Sequence, residues 1–190
     1  MEQSNSTKHW GLLIIRGLLY MAIGVSSFFI SNPFTGQSAQ LISGLLIVAG
    51  FCGCAYGFYT LRADRNYIWS LLRSGFDIIF GVAILAYGGG EPGRFQETLG
   101  FWAVMSAFIH AVQAMYIFML SGGRQPRNIF GTVLHFLNVL LGGGIAYTLL
   151  TPSPQAIPWA VVGSLVIALG IIMIILAVQQ RQTLLTNRAI

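Results

Sequence analysis

Arg16, Arg73, Asp77, His110, Gln113, His135 and Asn138 lie inside long apolar runs of the chain. Side chains of these types placed in hydrocarbon can pair with one another, hold a small anion or pass protons, and histidine adds titration near neutral pH. An Asp about 15 Å deep costs roughly 2.5 to 3.5 kcal/mol on insertion scales, so Asp77 is expected to face protein and to have a partner. Arg73 lies one helical turn away at i,i+4 and offers the nearest pairing. The Arg-then-Asp order is the weaker one, and Arg16 stands as an alternative partner. A structural ion pair is preferred here to a transport site. Arg16 and Arg73 enter their runs six or seven residues in, about 10 Å deep at 1.5 Å per residue. From that depth a long side chain can snorkel to the headgroups, which is the reading favoured for Arg16 taken alone. His135 is too short to snorkel as far and is read as an interhelical hydrogen-bonded histidine. His110, Gln113 and Asn138 reach the depth of Asp77 and could join it in a polar chain, the plainer reading being polar glue worth about 0.6 to 2 kcal/mol per contact.

Catalytic signatures are missing. The sequence holds no G-x-S-x-G, no H-E-x-x-H and no spaced Cys/His cluster, and of its five acidic residues three fall at tips or ends. No enzymatic activity, catalytic residue, metal site or cofactor is expected. Cys52 and Cys54, two apart on a helix, point away from each other and are read as buried small side chains. The glycine-rich "GGGEPG" at 88–93 is read as a loop, without the strand and helix that a phosphate-binding loop requires.

These side chains must be held by elements that the composition identifies. The chain has 190 residues, 55% hydrophobic and 8% charged, with a mean hydropathy of +0.73, far from the usual quarter-charged soluble domain. Apolar runs near 10–30, 39–61, 67–87, 97–120, 129–150 and 157–178 each have the roughly 20 residues that a helix needs to cross hydrocarbon. They are apolar on all sides, unlike barrel strands, which alternate. The expected fold is an all-α membrane protein of six transmembrane helices, one domain over 1–190 with no soluble domain. The first run is read as a retained span rather than a signal peptide, since no A-x-A-like cleavage site follows it.

Lys8, Arg62, Arg65, Arg124, Arg127, Arg181 and Arg188 flank one side of the spans and Arg94 alone the other. The positive-inside rule then places both termini of a multi-pass protein in the cytoplasm. The net charge of +5 is thus topological, and a nucleic-acid surface, which would gather basic and stacking residues on a solvated face, is excluded. Trp10, Tyr67 and Trp69 are expected at the inner boundary, and Trp102 and Trp159 near the outer one. The partners expected are the lipid bilayer and, as an open alternative, further copies of the chain; protein partners are unspecified.

A repeat runs through the spans. Arg16, Arg73 and His135 each stand eight residues before a glycine: Gly24, Gly81 and Gly143. His9, Asn66 and Asn128 precede them by seven, and Pro33, Pro92 and Pro152 close the spans. Offsets of 57 (16 to 73) and 62 (73 to 135) suit two spans with short turns. The chain reads as three helical hairpins, about 9–62, 66–121 and 128–181, with related polar sites at one level. Ala49, Gly53 and Gly57 form a small-residue stripe for close helix packing. Gly24, Gly81 and Gly143 are assigned the same role, and Gly142 to Gly144 a kink or close crossing.

The segments "HWGLLIIRGLLYMAIGVSSFFISNP" and "WSLLRSGFDIIFGVAIL" resemble the repeated span of HdeD-like acid-resistance membrane proteins, with a Trp, an Arg-Gly pair, a later Gly and a closing Pro. In the second copy Ser74 separates Arg73 from Gly75, and the third has His135-Phe136 in place of Arg-Gly. The resemblance covers nearly the whole chain. It implies a bacterial inner-membrane protein tied to acid or envelope stress, acting without catalysis. The alternative drawn from the residues themselves is a small proton-coupled or anion transporter or channel using the Arg/Asp/His network.

Overall fold

Inside a bilayer no water can satisfy a backbone N–H or C=O, so an apolar run of spanning length must close its hydrogen bonds within itself as a helix. The computed structural model, which describes residues 10–30, 36–61, 67–88, 91–121, 126–151 and 159–186, contains six such helices. They are α1 (Gly11–Phe28), α2 (Gly36–Thr60), α3 (Tyr67–Tyr87), α4 (Pro92–Ser121), α5 (Pro126–Leu150) and α6 (Trp159–Thr186). All six are long and apolar enough to cross a membrane, with mean hydropathies from 1.5 in α4 to 3.0 in α6. The protein is a multi-pass helical membrane protein.

Most boundaries lie where the apolar runs place them, but α4 starts five residues earlier than expected. Pro92 and Gly93, assigned to a loop, form its first turn. Proline is favoured at a first helical position because its missing N–H has no intrahelical acceptor there and its fixed φ suits the helix. The basic residues Lys8, Arg62, Arg65, Arg124 and Arg188, with His9, Pro33, Asn66 and Pro152, lie outside the described residues.

Each helix packs against its two neighbours in sequence, and α1 meets α6, so the helices form a closed ring. The three most intimate interfaces are α1·α6, α2·α3 and α4·α5, and small residues explain why. A Cβ added to Gly24 would lie 2.6 Å from the Gly163 carbonyl oxygen, and one on Gly163 equally close to that of Gly24. Gly17 and Gly170 meet in the same way one crossing further along. Across α2·α3, Cβ atoms on Gly50 and Gly81 would lie 2.8 Å from the Ser74 and 3.1 Å from the Ser43 carbonyl oxygens. In α4·α5 Gly142 stands 3.1 Å, on the same measure, from that of Ala103. Backbones that approach this closely gain van der Waals contact that lipid chains cannot match. Gly143, expected at such a contact, instead points into open space. On a helix adjacent residues face about 100° apart, and Gly142 takes the inward position.

The buried core runs through the ring as Tyr20, Ile23, Ile42, Leu46, Ile84, Phe95, Leu99, Trp102, Ile145 and Leu149, closed by Val162, Val166 and Leu169. Phe51, Phe58, Ile79, Phe108, Leu140 and Tyr147 face outward, an arrangement fit for acyl chains rather than water. Serine and threonine hydroxyls at 26, 27, 60, 74, 98, 148 and 164 donate to the carbonyl one turn back, so they add little polarity to either surface. At the ring's two ends Trp69 meets Tyr116 and Phe95 meets Trp159. The Arg181 guanidinium lies 4.4 Å from the centre of the Trp10 ring, holding the start of α1 to the end of α6. Cys52 and Cys54 are free thiols, half-buried rather than sealed.

Candidate functional site

Asp77, near the middle of α3, is 2% exposed, and both its oxygens are occupied. Arg16 Nη2 and the Tyr20 hydroxyl, both from α1, each donate to Oδ2 at 2.7 Å. Trp102 Nε1 on α4 donates to Oδ1 at 2.9 Å. Arg16 Nη2 also reaches the Tyr20 hydroxyl oxygen at 3.2 Å, and its charge lies 5.6 Å from the Tyr20 ring centre. Tyr20 and Trp102 meet edge to face, with centroids 5.7 Å apart. Three helices therefore converge on one carboxylate through charge-assisted hydrogen bonds, which are about twice as strong as neutral ones.

Local sequence makes this convergence possible. Arg16 and Tyr20 are one turn apart and share a face of α1. Gly53 on α2 gives the guanidinium its room, since a Cβ there would lie 2.9 Å from Arg16 Nη1 and collide with the Ser74 hydroxyl. Ser70 donates to the Gly53 carbonyl oxygen at 3.2 Å, fixing α3 against this bare stretch of α2.

Three expectations are corrected here. Arg16 does not snorkel: it is 1% exposed and turned into the ring, because the one buried carboxylate among the described residues is there to receive it. Asp77 pairs with Arg16 and not with Arg73. Helical side chains lean toward the N-terminus, so Arg73 extends away from Asp77; its Nε donates to the Trp69 carbonyl at 3.3 Å and its Nη1 points at the Met173 sulfur on α6 at 3.9 Å. Among the described residues Arg73 has no ion-pair partner. Trp102, expected at the outer boundary, is a core residue at 1% exposure. The early start of α4 carries it about 15 Å in. Neither Tyr20 nor Trp102 was singled out as a site residue; the i,i+4 spacing of Tyr20 from Arg16 was the available signal.

The expected polar chain is divided. His110 and His135 meet across α4·α5 with their Nδ1 atoms 3.0 Å apart and ring centres 5.3 Å apart. That contact needs one Nδ1 to donate and the other to accept, so the two rings carry different tautomers or share a single added proton. Gln113 and Asn138 are buried on the same two helices, one turn from His110 and His135 respectively. Gln113 Oε1 and both amide atoms of Asn138 have no hydrogen-bond partner among the described residues. Asp77 makes no hydrogen bond to this second group. Of the small-residue stripe, Ala49 is fully buried, Gly53 serves Arg16 and Ser74, and Gly57 receives Leu71.

Beside the Asp77 cluster lies a cavity of about 10 Å³, lined by Arg16, Arg73, Asp77, Trp102 and Ser106 with apolar walls. That is about the least volume that accommodates one water. Among the described residues no cluster of three or more His, Cys, Asp or Glu could hold a metal ion.

The fold and the site together define a class: a six-helix membrane protein centred on a buried, hydrogen-bonded ion cluster. Comparison with protein families, curated proteins and solved structures finds no match to the chain.

Proposed function

We propose that the protein is a non-enzymatic, HdeD-like resident of the inner membrane, with both termini cytoplasmic, that serves tolerance of acid or envelope stress and uses its intramembrane charges to lock its helices together. The observation that carries the locking role is the saturation of Asp77. A carboxylate relaying protons or cations must exchange its partners, whereas both oxygens of this one are held by Arg16, Tyr20 and Trp102, with 3% side-chain exposure or less for the ion pair. The stress role rests on the resemblance of the repeated Trp, Arg-Gly, Gly and Pro pattern.

The reading as three repeated hairpins is supported by the packing. Gly24·Gly163, Gly81·Ser43 and Gly142·Ala103 are matching backbone contacts of an odd with an even helix. Gly17·Gly170 and Ser74·Gly50 match in turn the contact of His135 with His110.

The alternative, a small proton-coupled or anion transporter, is favoured by Arg73 beside the cavity, which has no ion-pair partner among the described residues. Reconstitution decides between them. In proteoliposomes the locking role predicts no proton or halide flux above empty vesicles under an imposed pH or halide gradient, together with acid sensitivity of a deletion strain. A flux abolished by Asp77→Asn in folded protein would establish transport.

A further inference from the structure

The interior charge does not balance. Arg16 and Arg73 both border the cavity, and Asp77, already paired with Arg16, is the one buried carboxylate among the described residues. The other acids are Glu2, Asp64, Glu91 and Glu97. Glu91 pairs with Arg94 at 2.7 Å on an exposed end, and Glu97 is exposed at that same end. The first two lie outside the described residues. Neutral acceptors, the Trp69 carbonyl and the Met173 sulfur, take two of Arg73's five N–H donors and none of its charge. A guanidinium held among apolar helices without an anion is a costly arrangement.

Donors without acceptors also occur beside the cavity. Arg16 Nε and Nη1 are buried and have no hydrogen-bond partner among the described residues, Nη1 lying on the Gly53 side of the guanidinium. Ser106 lines the same space, and its hydroxyl makes no hydrogen bond among the described residues, in contrast to the serines at 26, 27, 74 and 164, which return to their own helices. Phe76 and Ile109 form apolar walls that strengthen any charge interaction inside.

The geometry points to a small monovalent anion, of chloride size or smaller, bound in this cavity as the counter-ion of Arg73, with Ser106 donating to it and Asp77 excluding a second negative charge. As it stands the space holds one water-sized particle, so chloride, which is larger than water, enters only as the half-buried Arg73 moves outward, and a phosphate diester is shut out. Binding requires no passage across the membrane, so it is distinct from the transport alternative, and a negative flux assay leaves it standing.

The test uses the full chain in neutral detergent, titrated with sodium chloride against sodium gluconate at constant ionic strength. Two readings are taken, the ³⁵Cl NMR line width and the melting temperature. Chloride is expected to broaden in a way that bromide competes away, and to raise the melting temperature saturably as a ligand of the native state must. Arg73→Gln should abolish both effects. Ser106→Ala should weaken apparent affinity by roughly tenfold, the loss of one hydrogen bond to a charged group. Equal behaviour in chloride and gluconate overturns the assignment, as does a saturable chloride response retained in Arg73→Gln. Should Arg73→Gln fail to fold, wild-type line width decides alone: no competed broadening overturns it. Stabilisation by added phosphatidylglycerol with no response to chloride also overturns it, and makes the lipid headgroup Arg73's partner.

Discussion

Neutralising Asp77 leaves Arg16 buried with its charge uncompensated, the most expensive way to break an internal ion pair. Asp77→Asn is therefore expected to lower stability by about 3 to 5 kcal/mol, read as the shift of a reversible denaturation curve in mixed micelles. The double variant Arg16→Met, Asp77→Leu removes both charges and fills the space, and should recover most of that loss, since apolar replacements of buried pairs are often neutral or better. A double variant as unstable as Asp77→Asn would show that the cluster is not held by its charge. Tyr20→Phe, which deletes a single charge-assisted donor, should cost less, about 1.5 to 3 kcal/mol. At this scale the sequence shows that Asp77 must be paired, because its insertion cost alone requires it. The partner is less legible. Arg73 is nearest along the chain but leans the wrong way, toward the Trp69 carbonyl, and only three-dimensional packing brings Arg16 and Trp102 to the carboxylate.

Helix contacts in this ring depend on which glycines face a neighbour's backbone. Gly163→Ala would set a methyl carbon 2.6 Å from the Gly24 carbonyl oxygen. Backbone cannot yield as a side-chain tip can, so α1 and α6 must move apart at a cost of about 1 to 3 kcal/mol. Gly143→Ala meets nothing and should be neutral or gain up to about 1 kcal/mol from helix propensity. The same denaturation curves measure both, and a Gly143→Ala loss as large as that of Gly163→Ala would refute the assigned facing. The six helices were legible because a period-free apolar run of spanning length has few other solutions. The register of the third hairpin in the proposed repeat was not. Matching His135 to Arg16 and Arg73 by chemical type aligns Gly143 with Gly24 and Gly81, whereas the backbone contact selects Gly142, one residue earlier. In that frame Asn138 stands level with Tyr20 and Asp77, and His135 with Gly17 and Ser74. The histidine pair then fills the place that close small-residue crossings occupy elsewhere.

For the whole molecule, a closed ring of six successive neighbours gathers alternate helix ends on two opposite faces. Trp10 and Arg181, in contact at the start of α1 and the end of α6, mark one face together with Leu61 and Tyr67. Phe29, Tyr87 and Thr151 mark the other. The proposed orientation puts the first of these faces in the cytoplasm. Single cysteines at these positions, introduced into a Cys52→Ala, Cys54→Ala background, convert the placement into an observation. A membrane-impermeant maleimide added to intact cells, with the outer membrane opened, should label Phe29→Cys and Tyr87→Cys, and should reach Leu61→Cys only after the inner membrane is breached. The reverse pattern would invert the protein and move Arg73 to the outward-facing half. Labelling of Phe29→Cys and Leu61→Cys from the same side would mean that α2 does not cross. The ring would then lose its alternation, and the depth assigned to Asp77 would no longer follow from helix length.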